Sequence, residues 1–183
     1  MSTANTDSQF NARILRPKQP GNGTHWAFVV LPKEASAKLP RRGRTTVDGT
    51  INGKPFTIQL EPDGQKSHWL KIDEVLLRAS GASYGDLVNF HIRAAAEEPD
   101  PEVPADLAEA LVASPEAMAT WDTTTNLSRV DWIHWITSAK QQKTRGKRIN
   151  DACDMLAAGK KKVCCFDTSG FYSKAFKAPE AFD

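Results

Sequence analysis

The densest chemistry in the chain is the stretch Lys140 to Arg148, KQQKTRGKR, which holds five cations and no acid. Three more cations follow at Lys160, Lys161 and Lys162. Such density can neutralise phosphates, on nucleic acid or on lipid headgroups. The same pattern also makes a solvated helix face, or one that docks on an acidic block of its own chain. Arg145 and Arg148 are suited to bidentate pairing with carboxylates inside the protein.

Aromatic residues supply a second candidate chemistry, because five tryptophans are many for 183 residues. Trp132 and Trp135 lie three apart, so on one helix they share the edge of a face. Side chains of this kind fill a core, or line a ligand cleft between packed elements. Three of the four histidines precede a tryptophan: His25–Trp26, His68–Trp69 and His134–Trp135. Neighbours in a strand face opposite sides, so each tryptophan is expected to turn inward and its histidine outward. No two histidines are spaced as a metal-ligand pair, and no metal is expected. Cys164 and Cys165 would need a base or a helix N-terminus to become nucleophilic, and no local motif names one. Their adjacency disfavours a disulfide between them, so free thiols are expected. No phosphate loop, dinucleotide fingerprint or nucleophile elbow occurs, so neither a cofactor nor a catalytic residue is assigned.

The elements that must position these residues change character along the chain. Phe10 to Leu15 and Trp26 to Leu31 read as strands, the second stopped by Pro32. Arg44 to Ile51 and Pro55 to Leu60 flank Asn52–Gly53, the pair that suits a type I′ hairpin turn. Phe56, Ile58 and Leu60 alternate with polar residues, which predicts one buried face. His68 to Ile72 is a further strand, Asp73 to Ala79 a short helix stopped at Gly81, and Asp86 to Ala94 a last strand. Strands this short, five or six of them, suggest a closed barrel without exposed edges. Glu97 to Pro104, EEPDPEVP, is a linker by composition.

After the linker the period becomes helical. Leu107 and Leu111 share a face, and Ser114–Pro115 opens a second helix. Ser128 with Asp131 reads as a third start, followed by the stripe Trp132, Ile136 and Ala139. Apolar residues vanish around Gln142 to Gly146, which predicts a break there. Ile149, Ala152, Cys153 and Leu156 resume the stripe as far as Gly159. Charge follows the same division. Residues 94–128 hold eight acids and no Lys or Arg, whereas the stretches on either side are net basic and the whole is +2. A helical hairpin could set the acidic block beside the basic one, so Lys140 to Arg148 is expected to serve mainly the protein's own fold or ligand site.

Particular residues carry a family resemblance. Trp26–Ala27–Phe28–Val29, Leu31–Pro32, Leu39–Pro40 and Arg44 to Phe56 resemble the N-terminal β-barrel domain of unknown function found in the YdeI/OmpD-associated family. Trp135–Ile136 to Lys140, Thr144–Arg145, Lys147–Arg148–Ile149, Met155–Leu156 and Gly159–Lys160 are similar to that family's helical segment. The resemblance implies a link to protection against bacteriocins and cationic antimicrobial peptides, and to association with an outer-membrane porin. The barrel also resembles the double-split type shared with some DNA-binding regulators and antitoxins, an analogy of fold alone.

The expected architecture is α+β: a small closed or double-split β-barrel over 9–95, a helical segment over 104–163 and a tail over 164–183. The expected function is non-enzymatic binding, linked to tolerance of antimicrobial peptides or envelope stress. A small molecule or peptide would lie between the barrel and the helix that bears Trp132 and Trp135. Trp26, Trp69, Trp132, Trp135, Lys140, Arg145 and Arg148 are its candidate contacts. The alternative is a nucleic-acid-binding regulator using residues 140–148. With no run near 18 apolar residues and a polar start lacking an apolar core, the protein is expected to be cytoplasmic, without membrane insertion.

Overall fold

Asn52 and Gly53 adopt φ of 47° and 80°, the two positive values that a type I′ turn requires. The turn joins two strands of a six-stranded antiparallel sheet. In chain order these are β1 (Ser8–Arg13), β2 (Ala27–Val30), β3 (Thr45–Ile51), β4 (Lys54–Pro62), β5 (His68–Ile72) and β6 (Leu87–Ala94). The computed structural model describes residues 5–21, 23–163 and 177–182. Cys164 and Cys165, for which free thiols are expected, lie outside them. The described chain forms two compact units, one up to Glu97 with the C-terminal segment and the other from Glu98 onward.

The sheet order is β1-β6-β3-β4-β5-β2. It curls into a nearly closed barrel around Val47, Leu60, Leu70, Phe90 and Ile92, all fully buried. β6 shows the cause most simply: Val88, Phe90 and Ile92 point inward while Leu87, Asn89, His91 and Arg93 are exposed. Closure is incomplete, contrary to the expectation of a barrel without edges. Beyond β1 the chain meets β2 through the isolated bridge Leu15–Phe28. Two residues later Pro17 brings no N–H with which to continue a ladder, so a seam remains.

Two short helices accompany the barrel where the sequence predicts one. α1 (Lys33–Ala37) begins directly after Pro32. α2 (Glu74–Ser80) is capped by Asp73, whose side chain accepts from the Leu76 N–H, and stopped by Gly81 at φ 70°.

The second unit is four helices: α3 (Ala105–Val112), α4 (Pro115–Thr123), α5 (Asn126–Thr137) and α6 (Gln142–Ala157). α6 packs against the other three, burying Ile149, Ala152 and Leu156 as their spacing predicts. Two boundaries differ from the expectation. The cap of α5 is Thr125, whose Oγ1 accepts from the Ser128 N–H at 3.2 Å. Ser128 therefore sits inside the first turn rather than before it. The expected break at 142–146 is also displaced, because α5 ends at Thr137 and α6 already begins at Gln142. Polar residues on a solvated face imitate a break in a pattern read from apolar residues alone.

Gly146 is consequently interior to α6, and a Cβ added there meets nothing within 4 Å. Gly146→Ala should raise stability by about 0.5–1 kcal/mol, since glycine loses the most backbone freedom on entering a helix. A higher urea midpoint would record this. An unchanged or lower midpoint would show that α6 does not hold its helical form there.

Candidate functional site

The pairing of β3 with β4 and β6 sets polar side chains in rows across the barrel's outer face. Asp48 is paired with Thr57 on one side and Arg93 on the other, and Thr50 with Pro55 and His91. The Thr57 hydroxyl donates to Asp48 Oδ1 at 2.6 Å. His91 Nε2 lies 3.6 Å from Asp7 Oδ1. Together with Gly49 and Phe56 these residues line an open groove of about 630 Å³. Gly49 permits the close approach of the strands here. A Cβ in its place would stand 2.3 Å from the His91 carbonyl oxygen and 3.0 Å from the Phe56 ring. The groove thus joins exposed donors, Arg93 and His91, to an acceptor, Asp48, and to the exposed ring of Pro55, whereas the Phe56 side chain packs into the barrel core. Such a mixture orients a ligand by a few polar contacts while apolar area supplies affinity.

Trp26 and Trp69 lie elsewhere on the barrel. Both flank the buried Phe28, each with ring centroids 6.2 Å from it. The Lys71 ammonium lies 4.7 Å from the Trp26 ring centroid, and Trp26 Nε1 donates to the Pro20 carbonyl at 2.8 Å. The expected orientation of the His–Trp pairs is reversed at His68 and Trp69. His68 is buried and Trp69 half-buried, because His68 shares its parity along β5 with the core residues Leu70 and Ile72.

In the helical unit the candidate contacts are engaged within the fold. Trp132 is fully buried, and its Nε1 donates to the Lys161 carbonyl at 3.2 Å. Trp135 meets it edge-on at 6.3 Å. Arg148 lies over the Trp135 ring at 5.5 Å and donates to the Trp135 carbonyl at 2.6 Å and the Ser138 hydroxyl at 3.2 Å. It thereby satisfies a carbonyl that the end of α5 leaves without a helical partner. Arg145 clasps Asp106 bidentately, at 2.7 Å and 3.0 Å. Those hydrogen bonds hold the Asp106 carboxyl below its ordinary range and raise Arg145 above its own. Both side chains are partly solvated, so the pair contributes about 1 kcal/mol at most. An acid of the 94–128 block and a cation of the 140–148 stretch are therefore partners, as the charge pattern anticipated. Lys140 is exposed in the turn before α6.

Residues 100–159 match the family described as bacteriocin-protection, YdeI or OmpD-associated, and residues 10–92 match a domain of unknown function, DUF1905. The helical segment 100–159 thus belongs to the YdeI/OmpD-associated family, and the barrel 10–92 to DUF1905. No curated protein matches it. The groove lies in the DUF1905 barrel, whereas Trp132, Trp135, Arg145 and Arg148 lie in the YdeI/OmpD-associated helices. The family's name suggests bacteriocin protection. Among the described residues no helix is long and apolar enough to cross a membrane, and no group of three or more His, Cys, Asp and Glu could hold a metal ion. Burial, helped by the neighbouring Asp154, pushes the Cys153 thiol of this YdeI/OmpD-associated segment up, away from nucleophilic use.

Two features of the barrel escaped the sequence reading. The groove did, because its rows depend on strand register. The other is a buried polar cluster in the DUF1905 barrel. His68 Nε2 lies 2.9 Å from the Gly43 carbonyl oxygen, which can only accept, so the ring proton belongs on Nε2. Nδ1 is then the acceptor for the Ser36 hydroxyl, at 2.6 Å. Ser67 Oγ donates to the Leu31 carbonyl at 2.8 Å, and Asp63 Oδ1 accepts from the N–H groups of Gln65 and Ser67. A hydroxyl donating to an imidazole resembles the nucleophile–base pair of hydrolases. Ser36 and His68 are both closed off from solvent, however, at 6% and 1% exposure. The cluster is therefore read as a clamp joining α1, the loop after it and β5.

Proposed function

We propose that the protein is a non-enzymatic, cytoplasmic binding protein linked to tolerance of antimicrobial peptides or envelope stress. Its ligand, a small molecule or short peptide, is held in the outer groove of the barrel. The observation that carries the reading is the convergence of Arg93, His91 and Asp48 beside Pro55 in a ligand-sized groove built on three paired strands. Peptides offer what that lining asks for: carbonyls and carboxylates for Arg93 and His91, amines for Asp48, and apolar side chains for Pro55. The family's description as bacteriocin-protection supports the same substrate class.

The test is fluorescence anisotropy of the full chain with labelled amphipathic peptides of about 20 residues, a length that can present one apolar helical face, one peptide cationic and one anionic. Saturable binding is expected for at least one of them. Asp48→Ala combined with Arg93→Ala should weaken it about tenfold or more, the worth of one charge-assisted hydrogen bond. Binding that ignores the double substitution would remove the groove from the reading. Duplex DNA binding that falls steeply between about 50 and 200 mM salt and weakens in Lys143→Ala, with no peptide binding, would establish the nucleic-acid regulator instead.

A further inference from the structure

The chain's own C-terminal segment is seated on the barrel like a bound peptide. Pro17 and Ala181 form an antiparallel bridge. Lys18 N donates to the Glu180 carbonyl at 2.8 Å, and Phe182 N donates to the Arg16 carbonyl at 2.7 Å. In this register Pro17 occupies the position whose N–H is not needed, so a residue that normally ends a ladder is tolerated. Side chains add selectivity. The Arg16 guanidinium lies 4.8 Å from the Phe182 ring centroid and 5.7 Å from that of Tyr84. Tyr84 is itself fixed by its hydroxyl, which donates to the Trp26 carbonyl at 3.1 Å. Lys18 Nζ stands 3.7 Å from Glu180 Oε2.

The seat is shallow. Phe182 is 56% exposed, and the Lys18 and Glu180 side chains are 60% and 72% exposed. Among the described residues the segment is held by two main-chain bonds, one solvated ion pair and one cation–π contact, and each of the last two is worth about 1 kcal/mol or less when exposed.

We propose that the edge Arg16 to Lys18, with Tyr84, is a docking site for an extended segment of a partner protein. The segment would carry an acid two positions before an aromatic residue, and the chain's own Glu180–Ala181–Phe182 occupies the site as a displaceable internal ligand. Recognition is by β-strand addition: main-chain bonds give affinity, and alternate side chains meet Lys18 and Arg16. The internal copy competes at the high effective concentration of a tethered segment, so a partner gains access only by displacing it. The site shares no residue with the outer groove.

The test uses the full chain and the synthetic peptide KAPEAFD, followed by chemical-shift perturbation. A Glu180→Ala/Phe182→Ala variant, with its internal ligand disabled, should bind the peptide at least tenfold more tightly than wild type. Adding Arg16→Ala should lower that affinity about three- to fivefold, the worth of one exposed cation–π contact, with the shifts confined to the neighbourhood of residues 16–18 and Tyr84. A folded variant that shows no saturable shifts at millimolar peptide, or whose binding ignores Arg16→Ala, would overturn the proposal. A wild-type chain that dimerises with concentration and loses dimers in the Glu180→Ala/Phe182→Ala variant would overturn it as well, giving the site to a second copy.

Discussion

Gly49→Ala should destabilise the barrel by about 3 kcal/mol, although it adds a single methyl group. The methyl would stand 2.3 Å from the His91 carbonyl oxygen, 3.0 Å from the Phe56 ring and 3.1 Å from Ile92 Cγ2. Side chains can turn away from a new neighbour, but a backbone carbonyl paired into a sheet cannot do so alone. β3 must then separate from β6, or the ladder must shift, and overpacking of this kind costs about 1–3 kcal/mol or more. Phe56 is directly opposite Gly49, so its ring covers the place a side chain would take. A urea titration read by circular dichroism and tryptophan emission would measure the loss. A change under about 0.5 kcal/mol, the size of an ordinary surface substitution, would show that β3 and β6 are not so closely apposed. The groove provides a second readout. If the strands separate, the rows that bring Asp48, Thr50, His91 and Arg93 together shift, and peptide binding should fall with stability.

His68→Ala is expected to cost a similar amount, about 3 kcal/mol at pH 7.5, for a different reason. The ring is the partner of two buried groups, the Ser36 hydroxyl and the Gly43 carbonyl. Removing it leaves both unsatisfied and opens a cavity, each a cost of one to a few kcal/mol. His68→Asn, which keeps one donor and one acceptor, should fall between alanine and wild type. The effect also depends on pH. Burial lowers the His68 pKa, outweighing the opposite effects of the Gly43 hydrogen bond and the Asp63 carboxylate, and Arg41 lowers it further. The neutral ring is therefore the folded form. Its contribution is complete above the unfolded histidine value, about 6.5, and is lost as pH falls below that toward the folded value. The stability difference between wild type and His68→Ala should accordingly shrink between about pH 6.5 and 5. A difference that stays constant or grows over that interval would mean the ring is already protonated in the fold.

What the sequence determined by itself was whatever depends on near neighbours. The Asn52–Gly53 turn and the stripe Ile149, Ala152 and Leu156 are each set within a few residues. Each appears where its pattern predicts. The matched family segments are legible for the same reason, being local motifs in order along the chain. The misread helix boundaries, at Thr125 and near Ser138, show the limit of that legibility: caps and breaks are decided by backbone partners as well as by residue type. Tertiary structure alone decided the rest. Which of His68 and Trp69 is buried depends on the parity that β5 shares with Leu70 and Ile72. That Arg145 takes Asp106, and Arg148 the end of α5, depends on how α6 packs against α3 and α5. The groove exists because β3 is paired at once with β4 and β6, and the seat of Phe182 because the chain end returns to Arg16. A side chain's type states what it can bond to. Its partner is chosen by a register or a packing between distant residues, which no local pattern encodes.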